Sequence, residues 1–480
     1  MTITWEQVLA FLCEDQTMAI TSLLFLAFFA AVALINYALP RVLRPYFLLA
    51  ASYGFFCYDP VNRPLVWVIA AATVLTWLCG LIIGKVRAKP VRVLALAASV
   101  GFGIGILVYY KYWNLLADTV GGSILSHREN LLAPLGLSYF TFAAMSYTID
   151  VYKRRCRVET NLLYYALFVS FFPTLINGPI ERYPQMRPQI QKSRRFSYGR
   201  CAGGAFRMLW GYTKKMVLAD NLSHYVSLVY GDVGSMSGPN LVAATVLFAV
   251  QLYMDFSGCC DIALGAARIL GYDLIENFQS PFEARTFNDF WRRWHISLGS
   301  WFRDYVYIPL GGSRVAAKRR LYFNIFIVWL LTGIWHGAKW TYIVWGMMYF
   351  VLLCVERILN LSGQKSWLGW IYTVFFFIAG NVVFRSENVT GALKYLLAMF
   401  NIHTTGLLDE KAVYYFAEYK MFLLIGMAAA LPIAVWLRAQ SGRCGAWIER
   451  LRPVWCAAVF LVALSFIVKG GYNPFIYFDF

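Results

Sequence analysis

Runs of about 20 apolar residues recur along this chain, and each is long enough to cross the ~30 Å hydrocarbon layer of a bilayer. They fall at 17–39, 64–84, 91–116, 131–151, 240–265, 321–340, 341–359, 367–385, 421–437 and 454–470, with a shorter run at 44–58 between Arg44 and Asp59. In lipid a spanning segment must satisfy its own backbone hydrogen bonds, so stretches this apolar read as helices. The expectation is an all-α integral membrane protein with about 11 spanning helices, each of the ~20 residues a crossing needs. No internal repeat and no long polar linker interrupts residues 1–480, which points to one polytopic domain. The first apolar run begins near Thr17, and Met1–Asp15 is acidic where a cleavable signal would be basic, so this run is expected to stay in the membrane.

Only 14% of the 480 residues are charged, against ~25% in a soluble domain. The net charge of +18 raises nucleic acid as a partner, but its placement argues otherwise. More than half of the 43 Lys and Arg residues sit in short loops between apolar runs, around 41–44, 85–92, 153–157, 182–200, 314–320 and 438–452. That is the positive-inside pattern, and it fits anionic lipid rather than a polynucleotide. It places both termini outside a cytoplasmic membrane, with 85–92, 153–157 and 314–320 inside. The ten cysteines are scattered, with no CxxC and no clustering with His. Neither a disulfide framework nor a metal site is expected, and Cys259-Cys260 reads as small apolar packing.

Two stretches are not ordinary spans. Residues 161–180 are apolar but lie between two basic clusters, and Pro173, Gly178 and Pro179 break a helix there. A re-entrant segment fits that placement. Residues 289–312, DFWRRWHISLGSWFRDYVYIPLGG, carry too many charges for lipid. Read as a helix, Arg292, His295, Gly299 and Arg303 form one stripe, and Trp291, Trp294, Leu298, Phe302 and Tyr305 another. The polar stripe then faces an aqueous cavity. An amphipathic helix on the membrane surface is the alternative.

Ionisable groups at membrane depth are the natural candidates for chemistry. His336 lies in LLTGIWHGAKW, about 22 Å along a helix that starts near Leu321, at 1.5 Å per residue. Gly333 and Gly337 flank it, permitting close backbone approach and leaving room for a substrate. A neutral imidazole there can take a proton from a hydroxyl and deliver it to a leaving thiolate. His295 can orient or polarise a substrate, or hold a carbonyl oxygen. For both, a structural histidine inside a bundle is the competing reading. His127, His224 and His403 fall in loops or at segment ends. In QLYMDFSGCCDIALGAARILG, Asp261 and Arg268 share a helix face, and Ser257 lacks the GxSxG context of a nucleophile. Arg303, Asp304, Arg292, Trp294, Trp335 and Asp261 complete the candidate tunnel and supporting set. The terminal GGYNPFIYFDF reads as an interfacial aromatic belt, or as a tail presenting Tyr477 to the site.

The stretches PLGLSYFTFAAMSYTIDVY, NGPIERYPQM, YMDFSGCCDIALGAARILGY, ENFQSPFEARTFNDFWRRWHISLGSWFRDYVYIPLGGSR and LTGIWHGAKWTYIVWG together resemble the membrane-bound O-acyltransferase (MBOAT) family. They cover most of 130–350, the expected catalytic core. Within the family the chain looks like the bacterial alginate and peptidoglycan O-acetyltransferase branch. The teichoic-acid D-alanylation branch, which shares WHISL and IWHG, looks less similar. The resemblance implies a multi-helix cone with re-entrant or interfacial helices around a central tunnel. It implies His336 as the catalytic histidine and His295 as the second polar position. By analogy with the tyrosine-bearing tail of the D-alanylation companion protein, Tyr477 is a candidate acyl carrier. The implied reaction moves an acetyl group from a cytoplasmic donor, acetyl-CoA, to the outer face, with no bound cofactor. An extracytoplasmic partner then places it on a cell-envelope polysaccharide. Donor phosphates would suit the basic loop Arg314–Arg320, which topology explains equally well. The rival enzyme readings are D-alanyl transfer to teichoic acid and other acyl transfer. The rival of another class is a transporter, whose broken helices also use buried His and Arg.

Overall fold

The computed structural model describes residues 18–400, apart from 122–124, 130, 176 and 362–365, and scattered residues between 410 and 465. Among the described residues the regular elements are helices, and the β-type pairing is an isolated bridge between Phe278 and Trp294. The protein is a multi-pass, all-helical membrane protein. By length and composition, five described helices suit a full crossing: Arg63–Lys85, Lys89–Val120, Gly238–Ile269, Trp340–Ile358 and Trp367–Arg385. Most of the expected runs at 421–437 and 454–470 lies outside the described residues.

Two compact units divide the chain. One holds the described residues through Met208 together with Cys259–Glu276; the other holds Leu209–Gly258 and the described residues from Asn277 onward.

In the first unit, small and hydroxyl residues let apolar helices meet where hydrophobicity gives no drive, as is usual in lipid. Ser99 and Thr148 hydroxyls lie 2.9 Å apart, and Thr76 and Tyr165 hydroxyls 2.8 Å apart. Gly80 faces the Tyr147 ring so closely that a Cβ there would overlap it at 2.5 Å. The segment expected to re-enter is indeed broken. Helix Leu162–Ser170 stops at Phe171, and one turn, Phe172–Leu175, follows. The Phe172 N–H freed by the break donates to Ser52 Oγ at 3.2 Å, which is how irregular backbone survives among apolar neighbours. Residues 198–231, which the apolar pattern leaves unassigned and most of which belong to the second unit, form helix Tyr198–Tyr212, a wide turn Thr213–Ala219 and helix Asp220–Gly231. Lys214, Lys215 and Asp220 keep that stretch below the apolar threshold.

In the second unit, Lys215 is buried, and its Nζ meets Asp220 at 2.8 Å and Asp255 at 2.7 Å. The ammonium is thereby compensated within the fold. Helices Lys318–His336 and Trp340–Ile358 form an antiparallel hairpin. Gly333 and Gly346 bring the two backbones together, because a Cβ on either would meet a carbonyl oxygen of the other helix, Tyr342 O at 2.6 Å or Trp329 O at 2.5 Å. The core is aromatic, built on Phe290, Trp294, Trp329, Trp345, Tyr349, Phe377 and Phe384.

Candidate active site

The segment 289–312 is not the single helix that its pattern suggests. Helix Phe287–Arg293 ends, the chain turns at Trp294 and His295, and helix Ile296–Phe302 begins. His295 adopts φ 46°, ψ 53°, a left-handed conformation uncommon for any residue but glycine. Holding it costs of order 1–3 kcal/mol, so the surroundings must enforce it. They do so through residues 277–279. Ile296 N–H donates to Asn277 O at 3.0 Å, and Gln279 N–H donates to Arg293 O at 2.9 Å. The first helix is tied down at its start. Thr286 Oγ1 accepts from Asp289 N, and the Glu356 carboxylate, on the neighbouring long helix, accepts from the N–H groups of Phe287 and Asn288. A carboxylate at a helix N-terminus meets both the open donors and the positive end of the dipole.

Asn277 also fixes the tautomer of His295. Its Oδ1 takes Ser297 N–H at 3.1 Å and Ser297 Oγ at 3.0 Å, and lies 3.2 Å from His295 Nδ1. A backbone N–H can only donate, so that atom is an acceptor and His295 Nδ1 carries the proton. Nε2 is left with its lone pair and has no protein partner. Burial pushes the His295 pKa down to about 3, because the charged ring would lose its hydration. His295 is 3% exposed and neutral, and it presents an acceptor. In this tautomer it cannot donate to a carbonyl oxygen, one of the roles its sequence position suggested.

His336 closes helix Lys318–His336 and is 6% exposed. Its ring lies 4.8 Å from Trp345, 5.0 Å from Trp335 and 5.3 Å from Phe384. Gly337 does not open space beside it; a Cβ there would overlap the Tyr342 ring, so Tyr342 fills the volume expected for substrate. The open volume is instead a cavity of about 470 Å³ lined by both histidines. Arg292, Arg303, Ser313 and Glu356 contribute to its polar wall, and Trp291, Trp294, Trp345, Phe377 and Phe384 to its apolar one. Both stripes of the broken segment therefore reach the cavity. Arg292 pairs with Asp289 at 3.5 Å and Arg303 with Asp304 at 2.9 Å, all of them at least partly solvated. Trp335 stands between the two histidines, its ring 5.7 Å from that of His295.

Other candidates lie elsewhere. Asp261 does not line this cavity and does not pair with Arg268; it meets Arg207 at 2.9 Å in the first unit. Arg268 is exposed. Ser257 is buried away from the cavity lining, and Cys260 donates its thiol to Asn177 O at 3.1 Å, as a packing residue would. Tyr477 lies outside the described residues. Three residues that sequence reasoning passed over belong to the site: Asn277, Glu356 and Asn381. Glu356 and Asn381 carried a usable signal, a polar side chain inside an apolar helix. Asn277 sits in a loop, where nothing local marks it.

Comparison with known proteins points one way. The family model described as MBOAT, membrane-bound O-acyltransferase family, matches residues 130–393. The probable alginate O-acetylase of Pseudomonas putida is 32% identical over 96% of this chain and 100% of its own length. The peptidoglycan O-acetyltransferase of Helicobacter pylori is 33% identical over 80% of this chain and 78% of its own. The teichoic acid D-alanyltransferase of Bacillus subtilis is 29% identical over 50% of this chain and 63% of its own.

Proposed function

Because this chain belongs to the membrane-bound O-acyltransferase family, we propose that it carries an acetyl group from cytoplasmic acetyl-CoA across the membrane for O-acetylation of a cell-envelope polysaccharide. That it is a membrane O-acyltransferase follows from the family; donor, acceptor and direction are the proposal. One observation carries it: a single cavity is lined by the two histidines together with arginines and aromatic side chains. An acetyl donor of this kind is itself divided, charged at its nucleotide and apolar at its thioester.

In the proposed reaction the acceptor hydroxyl gives its proton to the His336 imidazole as its oxygen attacks the thioester carbonyl. The C–S bond then breaks, and His336 returns the proton to the departing thiolate. His295 Nε2 accepts a hydrogen bond from an amide N–H of the donor arm, which positions the acyl group. Trp335 packs on both rings, while Trp294, Arg292 and Arg303 shape the wall around them and Asp304 holds Arg303. Ser313 lines the cavity next to the basic loop Arg314–Arg320, which suits the donor phosphates. Tyr477 is the proposed carrier of the acetyl group on the outer side, and a separate extracytoplasmic protein passes it to sugar hydroxyls. Residues 1–480 then form one domain, a cone of about 11 spanning helices of ordinary length around a central tunnel. It lies in the cytoplasmic membrane with both termini outside, as the basic loops require.

The more extensive match to acetylating relatives favours acetyl over D-alanyl as the group moved. The test is transfer from radiolabelled acetyl-CoA in proteoliposomes with the outer partner and polymer supplied. Wild-type protein should label Tyr477 and then the polymer, and His336→Ala should label neither. Transfer by His336→Ala at the wild-type rate would sink the mechanism. A normal rate with Tyr477→Phe would remove the relay and keep the rest. Label accepted from a D-alanyl donor instead of acetyl-CoA would reassign the group moved.

A further inference from the structure

Several buried polar groups around the cavity are accounted for within the fold. Glu356 accepts two backbone N–H groups, Ser300 Oγ donates to Ser297 O, and Thr332 Oγ1 donates to Val328 O. His295 Nδ1 is held by Asn277. Asn381 differs. It lines the cavity and is 2% exposed, and its Nδ2 has no hydrogen-bond partner. It lies on helix Trp367–Arg385, in the otherwise apolar stretch FFFIAGNVVF. A carboxamide in that setting is costly unless something satisfies it. Phe384, one turn further on the same helix face, stands 5.3 Å from the His336 ring and also lines the cavity.

We infer that the Asn381 side-chain N–H donates a hydrogen bond to the carbonyl oxygen of the acyl group and stabilises the oxyanion formed during transfer. The inference rests on the acyl-transfer reading above. Acyl transfer needs a donor where negative charge develops. His295 offers a lone pair instead, and His336 is occupied by the proton in flight. As the acceptor hydroxyl oxygen bonds to the carbonyl carbon, the C=O electron pair moves onto the oxygen, where the amide N–H meets it. Collapse restores the carbonyl and expels the thiolate, which takes from His336 the proton that the hydroxyl lost. Trp291 Nε1 is another buried donor on the cavity wall that has no hydrogen-bond partner. Its indole is only half-buried and is packed edge-on against Trp345 and Tyr349, so it serves as the control.

The experiment compares wild type, Asn381→Leu, Asn381→Ser, Trp291→Phe and His336→Ala in single-turnover acetyl transfer. Alongside, the 13C carbonyl signal of a bound, non-transferable ketone analogue of acetyl-CoA is recorded. Removing one such donor lowers kcat by roughly 10²–10³-fold, with KM little changed, and Asn381→Leu should do this. The carbonyl signal should sit downfield in wild type and Trp291→Phe and return toward its free position in Asn381→Leu. Asn381→Ser, which keeps a donor hydroxyl, should recover part of both. Wild-type kcat in Asn381→Leu, or a carbonyl signal identical in wild type and Asn381→Leu, overturns the assignment. A His336→Ala variant that transfers normally breaks the parent mechanism instead, so the two failures are distinct.

Discussion

Two polar regions of this molecule are built in opposite ways. In the first unit Arg207 is clamped between Asp261 and Glu276, while Arg194 and Arg200 both close on Asp273. Each guanidinium finds a carboxylate, so every charge in the two clusters has an opposite charge beside it. In the second unit the cavity wall keeps a lone pair on His295 Nε2 and an unmatched N–H on Asn381. An unsatisfied buried group costs ~1–3 kcal/mol, which folding alone does not reward. Paired charges hold a fold together; polar atoms left open on a cavity wall wait for a substrate. Substitutions in the first region should therefore move stability, and substitutions in the second should move rate.

The largest effect is expected from His336→Ala, with transfer in proteoliposomes falling at least about 10³-fold, within the range for loss of a general base. Its melting temperature should stay near that of wild type; a large drop would make His336 structural and erase the contrast. Next comes Asn277→Leu, which frees the His295 tautomer and should cost roughly 10- to 100-fold in kcat, as loss of a group that orients a functional histidine does. Asn277→Asp sharpens the point. It still accepts from Nδ1, so the tautomer survives, but its charge raises the His295 pKa from about 3 toward neutrality. Activity should then be normal at high pH and fall as pH drops and Nε2 is protonated, a limb that His295 does not add to the wild-type profile above pH ~5 because its ring stays neutral there.

Arg207→Ala should act the other way. It removes the guanidinium that Asp261 and Glu276 share and lowers stability by about 1–2 kcal/mol, a figure discounted for the solvated Glu276 arm. Thermal unfolding should show that loss, while kcat per folded molecule stays within about twofold, as for a site outside the chemistry. Glu181 tests the comparison from inside the first unit, since its Oε2 is buried without a partner. Burial raises its pKa to about 8, partly offset by the Ile275 N–H and the charge of Arg182. The folded state then holds a proton that the unfolded state releases above ~4.5, so stability falls as pH rises from 4.5 to 8. Glu181→Gln should remove that slope, raising the melting temperature at pH 8 by about 2 °C and leaving it unchanged at pH 5. Loss of transfer in this variant would place Glu181 with the acting groups and redraw the comparison.

The long apolar helices were legible because their signal is local. Helices Arg44–Tyr58, Val66–Lys85, Trp340–Ile358 and Trp367–Arg385 lie within a few residues of the runs read from the sequence. His336 was legible for the same reason, as a polar residue on a recognisable helix beside a specific motif. The segment around His295 misled because helical periodicity assumes a continuous helix. Its break depends on Asn277, which is 18 residues away. Asp261 misled in the same way, since the helix face it shares with Arg268 says nothing about Arg207, 54 residues earlier.

The sequence by itself determined that this chain lives in a membrane as helices, where its basic loops lie, which family it belongs to, and which histidine ends a long apolar helix. These follow from hydrophobicity, charge and short motifs, which act over one or two helical turns. Only the tertiary structure decided that His295 sits in a left-handed turn with its lone pair open, that Tyr342 fills the space beside Gly337, and that Asn381 joins the two histidines on one wall. Each of those depends on which distant side chains meet, and that is set by close packing between helices rather than by any pattern within one.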